Sequence, residues 1–121
     1  MKRDMTLVRE ILLCATAQES AGINTNPDVP GYTEDQIAHH VHLMWQAGLV
    51  EAVDITTNGG AGPSAMLMSV TWAGHDFIDA ARDDTIWNKT KSKVLSSGLS
   101  FTFDLLKEVL VAAAKGPLGL S

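Results

Sequence analysis

The feature that most constrains the fold is a helix with signals at both ends, followed at once by two short apolar runs. Thr33 is a good N-cap, and Gln36 stands three residues later, as in a capping box. Apolar residues then recur at helical spacing up to Ala47, and Gly48 suits the position just after a helix. The sequence therefore predicts a helix over residues 33–47.

The two apolar runs predict a β-hairpin. Residues 49–55 show a partial alternation with β-branched side chains, and residues 66–71 form a second such run. Between them, residues 58–64 hold three glycines and Pro63, which is typical of a long turn.

Helical periodicity also predicts elements on both sides of this region. Asp4 is a good N-cap for a first helix that ends near Glu19, and a loop rich in Gly, Asn and Pro follows. After the hairpin a helix opens at Thr71 or Trp72. It continues, or restarts at residue 84 or 85, to about residue 95.

Helix, helix, hairpin, helix is the order of a winged helix-turn-helix, so the predicted fold class is α+β. The usual short middle helix is missing or reduced to the loop before residue 33. The hairpin is then the wing, and the helix 33–47 holds the recognition position. The predicted organisation is a winged-helix domain over 1–95, a linker at 96–101, a packing or dimerisation helix at 102–115 and a loose tail at 116–121.

The charge distribution bears most directly on function. The net charge is −5, yet residues 10–81 contain nine acidic residues and neither Lys nor Arg. Non-specific DNA affinity comes mainly from neutralising phosphates, which such a segment repels. An acidic surface instead suits a protein partner with a basic face, because complementary potentials steer association.

The predicted interaction surface for that protein partner comes from the exposed side and the start of the helix 33–47. Its residues are His39, His42, Gln46, Glu34 and Asp35. The alternative function is a DNA-binding transcriptional regulator, since recognition helices carry polar residues to base edges. The basic residues predicted to contact nucleic acid in that case are Arg82, Lys89, Lys91 and Lys93.

The sequence contains no catalytic constellation, so we expect no enzymatic activity and no cofactor. His39 and His42 share a helical face, but two ligands are too few for zinc, and no metal site is expected. Cys14, the only cysteine, has apolar neighbours and is predicted to be a buried structural thiol. His40 is predicted to be a hydrogen-bonded, partly buried structural histidine.

Residues 102–115 carry a wide apolar stripe that must be covered. Either this helix folds back on the first helix of its own chain, or it pairs with a second subunit. We expect a homodimer, because a two-fold interface needs only one self-complementary patch. The predicted dimerisation residues are Phe103, Leu105, Leu106, Val109 and Leu110.

The N-terminal sequence lacks the apolar core and cleavage site of a signal peptide. No stretch approaches the ~18 apolar residues of a membrane span. We therefore expect a cytoplasmic protein that does not bind membranes.

Four blocks in order resemble an uncharacterised family of small bacterial and phage proteins. They are MKRDM at the start, DQIAHHVHLMWQAGLVEA, TWAGHDFIDAARDDTIW and SFTFDLLKEVL. The resemblance covers nearly the whole chain and implies a winged-helix fold and frequent occurrence in phages and prophages. It implies no activity and assigns no role to the matching residues, which include His40, Gly48, Trp72, Gly74, His75 and Trp87.

Overall fold

A computed structural model describes residues 3–18, 26–57, 59–60 and 62–96. Within those ranges the chain forms four helices and one two-stranded sheet, which confirms the α+β class. The elements are α1 (Met5–Gln18), α2 (Glu34–Gln46), β1 (Val50–Asp54), β2 (Ala65–Val70), α3 (Trp72–Ala81) and α4 (Asp84–Ser96).

The start of α1 and both ends of α2 follow from their capping residues, as predicted. The Asp4 carboxylate accepts from the backbone N–H of Thr6 at 2.9 Å, where α1 begins. Thr33 and Gln36 form the complete capping box of α2. Gly48 follows α2 with a φ of +81°, a left-handed conformation that glycine adopts without steric cost.

The hairpin is antiparallel, with Val50 opposite Val70. The register shifts by one residue between Glu51 and Ala52, which marks a β-bulge. One face of the hairpin is buried, with Ala65 and Leu67 fully inaccessible, as expected for strands that alternate between core and solvent.

The chain divides into two compact units, Met1–Asp76 and Phe77–Ser121. In the first unit α2 packs against α1 and against both strands. Its fully buried side chains include Leu7, Ile11 and Val41. In the second unit Phe77, Ile78, Ala81 and Trp87 are buried.

Gly74 allows the start of α3 to approach the base of the hairpin closely. A Cβ at this position would overlap the carbonyl oxygen of Leu49 and lie 2.7 Å from Cγ1 of Val70. Thr71 caps this helix, since its Oγ1 accepts from the backbone N–H of Gly74 at 3.1 Å. The same hydroxyl donates to the carbonyl of Gly48, which ties α3 to the end of α2.

Residues 97–121 lie outside the described residues. They include the predicted helix 102–115, the tail 116–121 and most of the predicted linker 96–101, so these boundaries stay predictions.

Candidate functional site

An open groove of about 600 Å³ lies in the first unit, where three segments meet. One is the segment 26–28, the second is the first turns of α2, and the third is the turn end of the hairpin, where β1 ends and β2 begins. The lining residues are Asn26, Pro27, Asp28, Glu34, Asp35, Ile37, Ala38, Ile55, Thr57, Ser64 and Met66.

Asn26 fixes one wall of the groove by pairing with the outer edge of β2. Its side-chain amide donates to the carbonyl of Ala65 at 3.0 Å and accepts from the backbone N–H of Leu67 at 2.8 Å. These two bonds mimic a strand ladder over a short distance and hold the segment 26–28 beside the hairpin.

The hairpin end is held by a compact set of bonds between Ile55, Thr56 and Ser64. The backbone N–H of Ile55 donates to the carbonyl of Ser64 at 2.9 Å. The backbone N–H of Ser64 donates to Oγ1 of Thr56 at 3.0 Å. These bonds keep the third wall in place although glycines occupy the turn beyond it.

Three exposed carboxylates surround the groove, those of Asp28, Glu34 and Asp35. Among the described residues no ion pair engages any of them. Glu34 and Asp35 lie in the first turn of α2, where the helix dipole stabilises negative charge. The groove therefore combines unpaired negative charge with apolar surface, of which Ile55 is 43% exposed.

The structure separates the five residues of the predicted interaction surface. Glu34 and Asp35 lie at the groove, whereas Gln46 is exposed at the last position of α2, about 18 Å away at the 1.5 Å rise of a helix. His39 is half-buried, and its Nδ1 lies 3.1 Å from the carbonyl of Pro63 in the hairpin turn. His42 is also half-buried and makes an edge-to-face contact with Trp45.

The four basic residues predicted for nucleic-acid contact all belong to the second unit. Arg82 lies 3.8 Å from the Asp79 carboxylate. Lys89 and Lys93 are exposed one turn apart on α4, and Lys91 is half-buried.

His40 is hydrogen-bonded, as predicted, but it is fully buried at 1% exposure, whereas the sequence predicted partial burial. Its Nε2 accepts from the backbone N–H of Asp4 at 2.9 Å, and its Nδ1–H donates to the carbonyl of Gln36 at 2.8 Å. Burial lowers the pKa of His40. The Tyr32 hydroxyl donates to the Asp4 carboxylate at 2.9 Å, and burial together with this bond raises the pKa of Tyr32.

Cys14 is half-buried, which is less than the complete burial that the sequence predicted. Burial and the nearby Glu10 carboxylate raise its pKa, so the reactive thiolate is disfavoured.

In the part of the chain that the structure describes, no group of three or more His, Cys, Asp or Glu residues is placed to hold a metal ion. Among the same residues, no helix is long and apolar enough to cross a membrane. The predicted dimerisation residues at 103–110 lie outside the described ranges.

Sequence reasoning missed Asn26, Asp28, Ile55 and Met66 as parts of the site. The apolar Ile55 at the end of an alternating strand was a sequence signal for a binding site. The signal was weak, since single exposed apolar residues are common. The position of Asn26 depends on bonds to residues 39 and 41 positions away. Local sequence patterns do not encode such a pairing.

Comparisons with known proteins agree with the resemblance noted in the sequence. A family model described as "Hypothetical protein (DUF2513)" matches residues 2–100. A Haemophilus influenzae protein described as uncharacterized is 36% identical over 110 residues, which are 90% of this chain and 92% of that protein. No solved structure matches significantly. The chain belongs to the uncharacterised family DUF2513.

Proposed function

We propose that this protein is a non-enzymatic interaction module of the winged-helix type, which binds a basic protein partner through its acidic surface. The order α1, α2, hairpin, α3 supports the winged-helix assignment, with the turn at residues 58–64 as the wing and α2 in the recognition position. The phage or prophage setting that the family resemblance implied belongs to this proposal.

The groove and its three carboxylates, which form no ion pair with another described residue, are the main support for the proposal. Asp28, Glu34 and Asp35 surround apolar surface within the segment 10–81, which has no Lys or Arg. An exposed ion pair alone is worth only ~0.2–1 kcal/mol, so affinity requires apolar contact as well. The groove offers both kinds of contact at one place.

DNA binding is the second candidate, and the exposed lysines of α4 favour it. Lys89 and Lys93 share a helical face with Asn88 and Ser92, and all four side chains are exposed. However, α2 presents Glu34 and Asp35 at its first turn, where an ordinary recognition helix meets the phosphate backbone. Two or three lysines neutralise too few phosphates for tight binding.

A cross-linking experiment separates the two candidates. The tagged protein is incubated with lysate of its source organism, with and without nuclease treatment, and coupled with a carbodiimide, which joins carboxylates to lysine amines in contact. In both lysates we expect a captured protein whose cross-links map to Asp28, Glu34 or Asp35, and whose yield falls when salt added before the coupling screens the charges. Capture that disappears with nuclease treatment, and with Lys89→Gln and Lys93→Gln, would contradict the proposal in favour of DNA binding.

A further inference from the structure

We propose that the groove binds a short linear segment of the partner, in which an apolar side chain is flanked by basic ones. This inference rests on the proposed function and names the kind of segment that the acidic surface recognises.

The shape of the groove selects a protruding segment. Its volume of about 600 Å³ falls within the ~300–1,000 Å³ that is usual for clefts enclosing a ligand. A concave site of this size admits a few projecting side chains, whereas the flat face of a folded domain cannot enter it. The occupant is therefore a linear segment or a projecting loop.

The apolar lining supplies a place for one anchoring side chain. Ile55 is 43% exposed and Met66 is half-buried, and both lie at the hairpin wall of the groove. Methionine is flexible and polarizable, so it adapts to aliphatic partners of different shape. Covering these residues with an apolar side chain removes their surface from water, which favours binding.

Two polar side chains of the groove are already engaged within the protein. The Asn26 amide bonds to Ala65 and Leu67, and the Ser64 hydroxyl donates to the carbonyl of Gly62 at 3.2 Å. The charged groups that the groove offers a partner are the carboxylates of Asp28, Glu34 and Asp35, which accept hydrogen bonds from Arg or Lys. The residues flanking the anchor are therefore basic.

The test uses the full chain and a fluorescein-labelled probe peptide with one leucine between two pairs of arginines. Fluorescence anisotropy measures its affinity for the wild type and for two charge variants that lose equal charge. Asp28→Asn with Glu34→Gln removes groove carboxylates and is expected to weaken binding about tenfold. Glu51→Gln with Asp76→Asn removes exposed carboxylates elsewhere in the same unit and is expected to leave binding unchanged.

A second pair of variants tests the apolar anchor. Ile55 and Val53 are both exposed on the hairpin, at 43% and 45%, but only Ile55 lines the groove. Ile55→Ser is expected to weaken binding about fivefold and Val53→Ser to leave it unchanged, since only the first change removes apolar contact with the probe. A probe with serine in place of leucine is expected to bind the wild type about tenfold more weakly.

Several outcomes would overturn the inference. These are no binding of the leucine probe, equal weakening by both charge pairs, and equal affinity for the leucine and serine probes. None of these outcomes contradicts the proposed function, because a folded basic partner that is cross-linked to the acidic surface would still support that function. Conversely, probe binding at the groove without any cross-linked protein would contradict the proposed function, although it would show that the groove accepts a basic segment with an apolar anchor.

Discussion

At the scale of single residues, His40 connects the start of α1 to α2 in the first unit. Its two ring nitrogens bond to the residue that caps α1 and to the preceding turn of α2. Because Nε2 accepts and Nδ1–H donates, the folded protein holds the imidazole in its neutral form. Protonation would turn the accepting nitrogen into a donor facing the N–H of Asp4, and the bond would be lost.

We predict that this arrangement makes stability depend on pH. In the unfolded chain a histidine takes up its proton as the pH falls through about 6.5, whereas folded His40, with its lowered pKa, does so only at lower pH. Between those values the unfolded state binds more protons than the folded state. The free energy of unfolding therefore decreases as the pH is lowered, by up to about 1.4 kcal/mol per pH unit. Urea unfolding from about pH 7 to about pH 5 measures this slope.

The control for this prediction is a histidine on the same helix. His40→Gln is expected to flatten the slope, and His42→Gln, which loses an edge-to-face contact with Trp45, to keep it. An NMR titration of His40 in the wild type checks the lowered pKa directly. An unchanged slope in His40→Gln would show that other groups cause the pH dependence.

At the scale of elements, the hairpin depends on contacts outside its own turn. An isolated two-stranded hairpin is marginally stable in water, so packing must stabilise it. Here α2 packs against both strands, and the Asn26 side chain occupies the outer edge of β2. A covered edge also hinders pairing of this strand with other chains.

Replacing Asn26 is therefore expected to destabilise the first unit. Asn26→Ala leaves the carbonyl of Ala65 and the N–H of Leu67 without their bonds, at a cost of about 1–3 kcal/mol. Asn26→Asp keeps the acceptor for Leu67 but sets a carboxylate oxygen against the Ala65 carbonyl, so it should cost at least as much. Denaturant unfolding measures both variants. Asn88→Ala, at an exposed position of α4, is the control, with a change within about 0.5 kcal/mol. Equal stability of Asn26→Ala and the wild type would contradict the role given to these bonds.

At the scale of the whole molecule, charge differs between the two units. The first contains three basic and nine acidic residues, and the second contains six basic and five acidic residues. This asymmetry agrees with a division in which the first unit binds a basic partner. It also means that the second unit carries most of the cations available for any anionic partner.

The predicted homodimer is tested by the molar mass in solution of the intact protein and of a shortened chain. The apolar pattern of residues 102–115 leads us to expect a dimer in light scattering and a monomer for a chain ending at Ser97. Leu110→Lys should also give a monomer, because it places a charge in the apolar stripe, whereas Glu108→Lys on the opposite side should not. A monomeric intact chain would refute the dimer, and a shortened chain that stays dimeric would place the interface elsewhere.

The elements and most of their ends could be predicted from the sequence, although the break between α3 and α4 was one of two alternatives that the periodicity left open. Capping side chains, the glycine after α2 and the change from helical to alternating periodicity act between residues a few positions apart, so local sequence encodes them. The groove, in contrast, could not be predicted from the sequence, because it depends on tertiary packing. Asn26 beside β2, the carboxylates beside Ile55 and His39 against Pro63 are pairings between distant residues. They form when packing brings the elements together, and the periodicity along the chain does not indicate which loop will contact which strand.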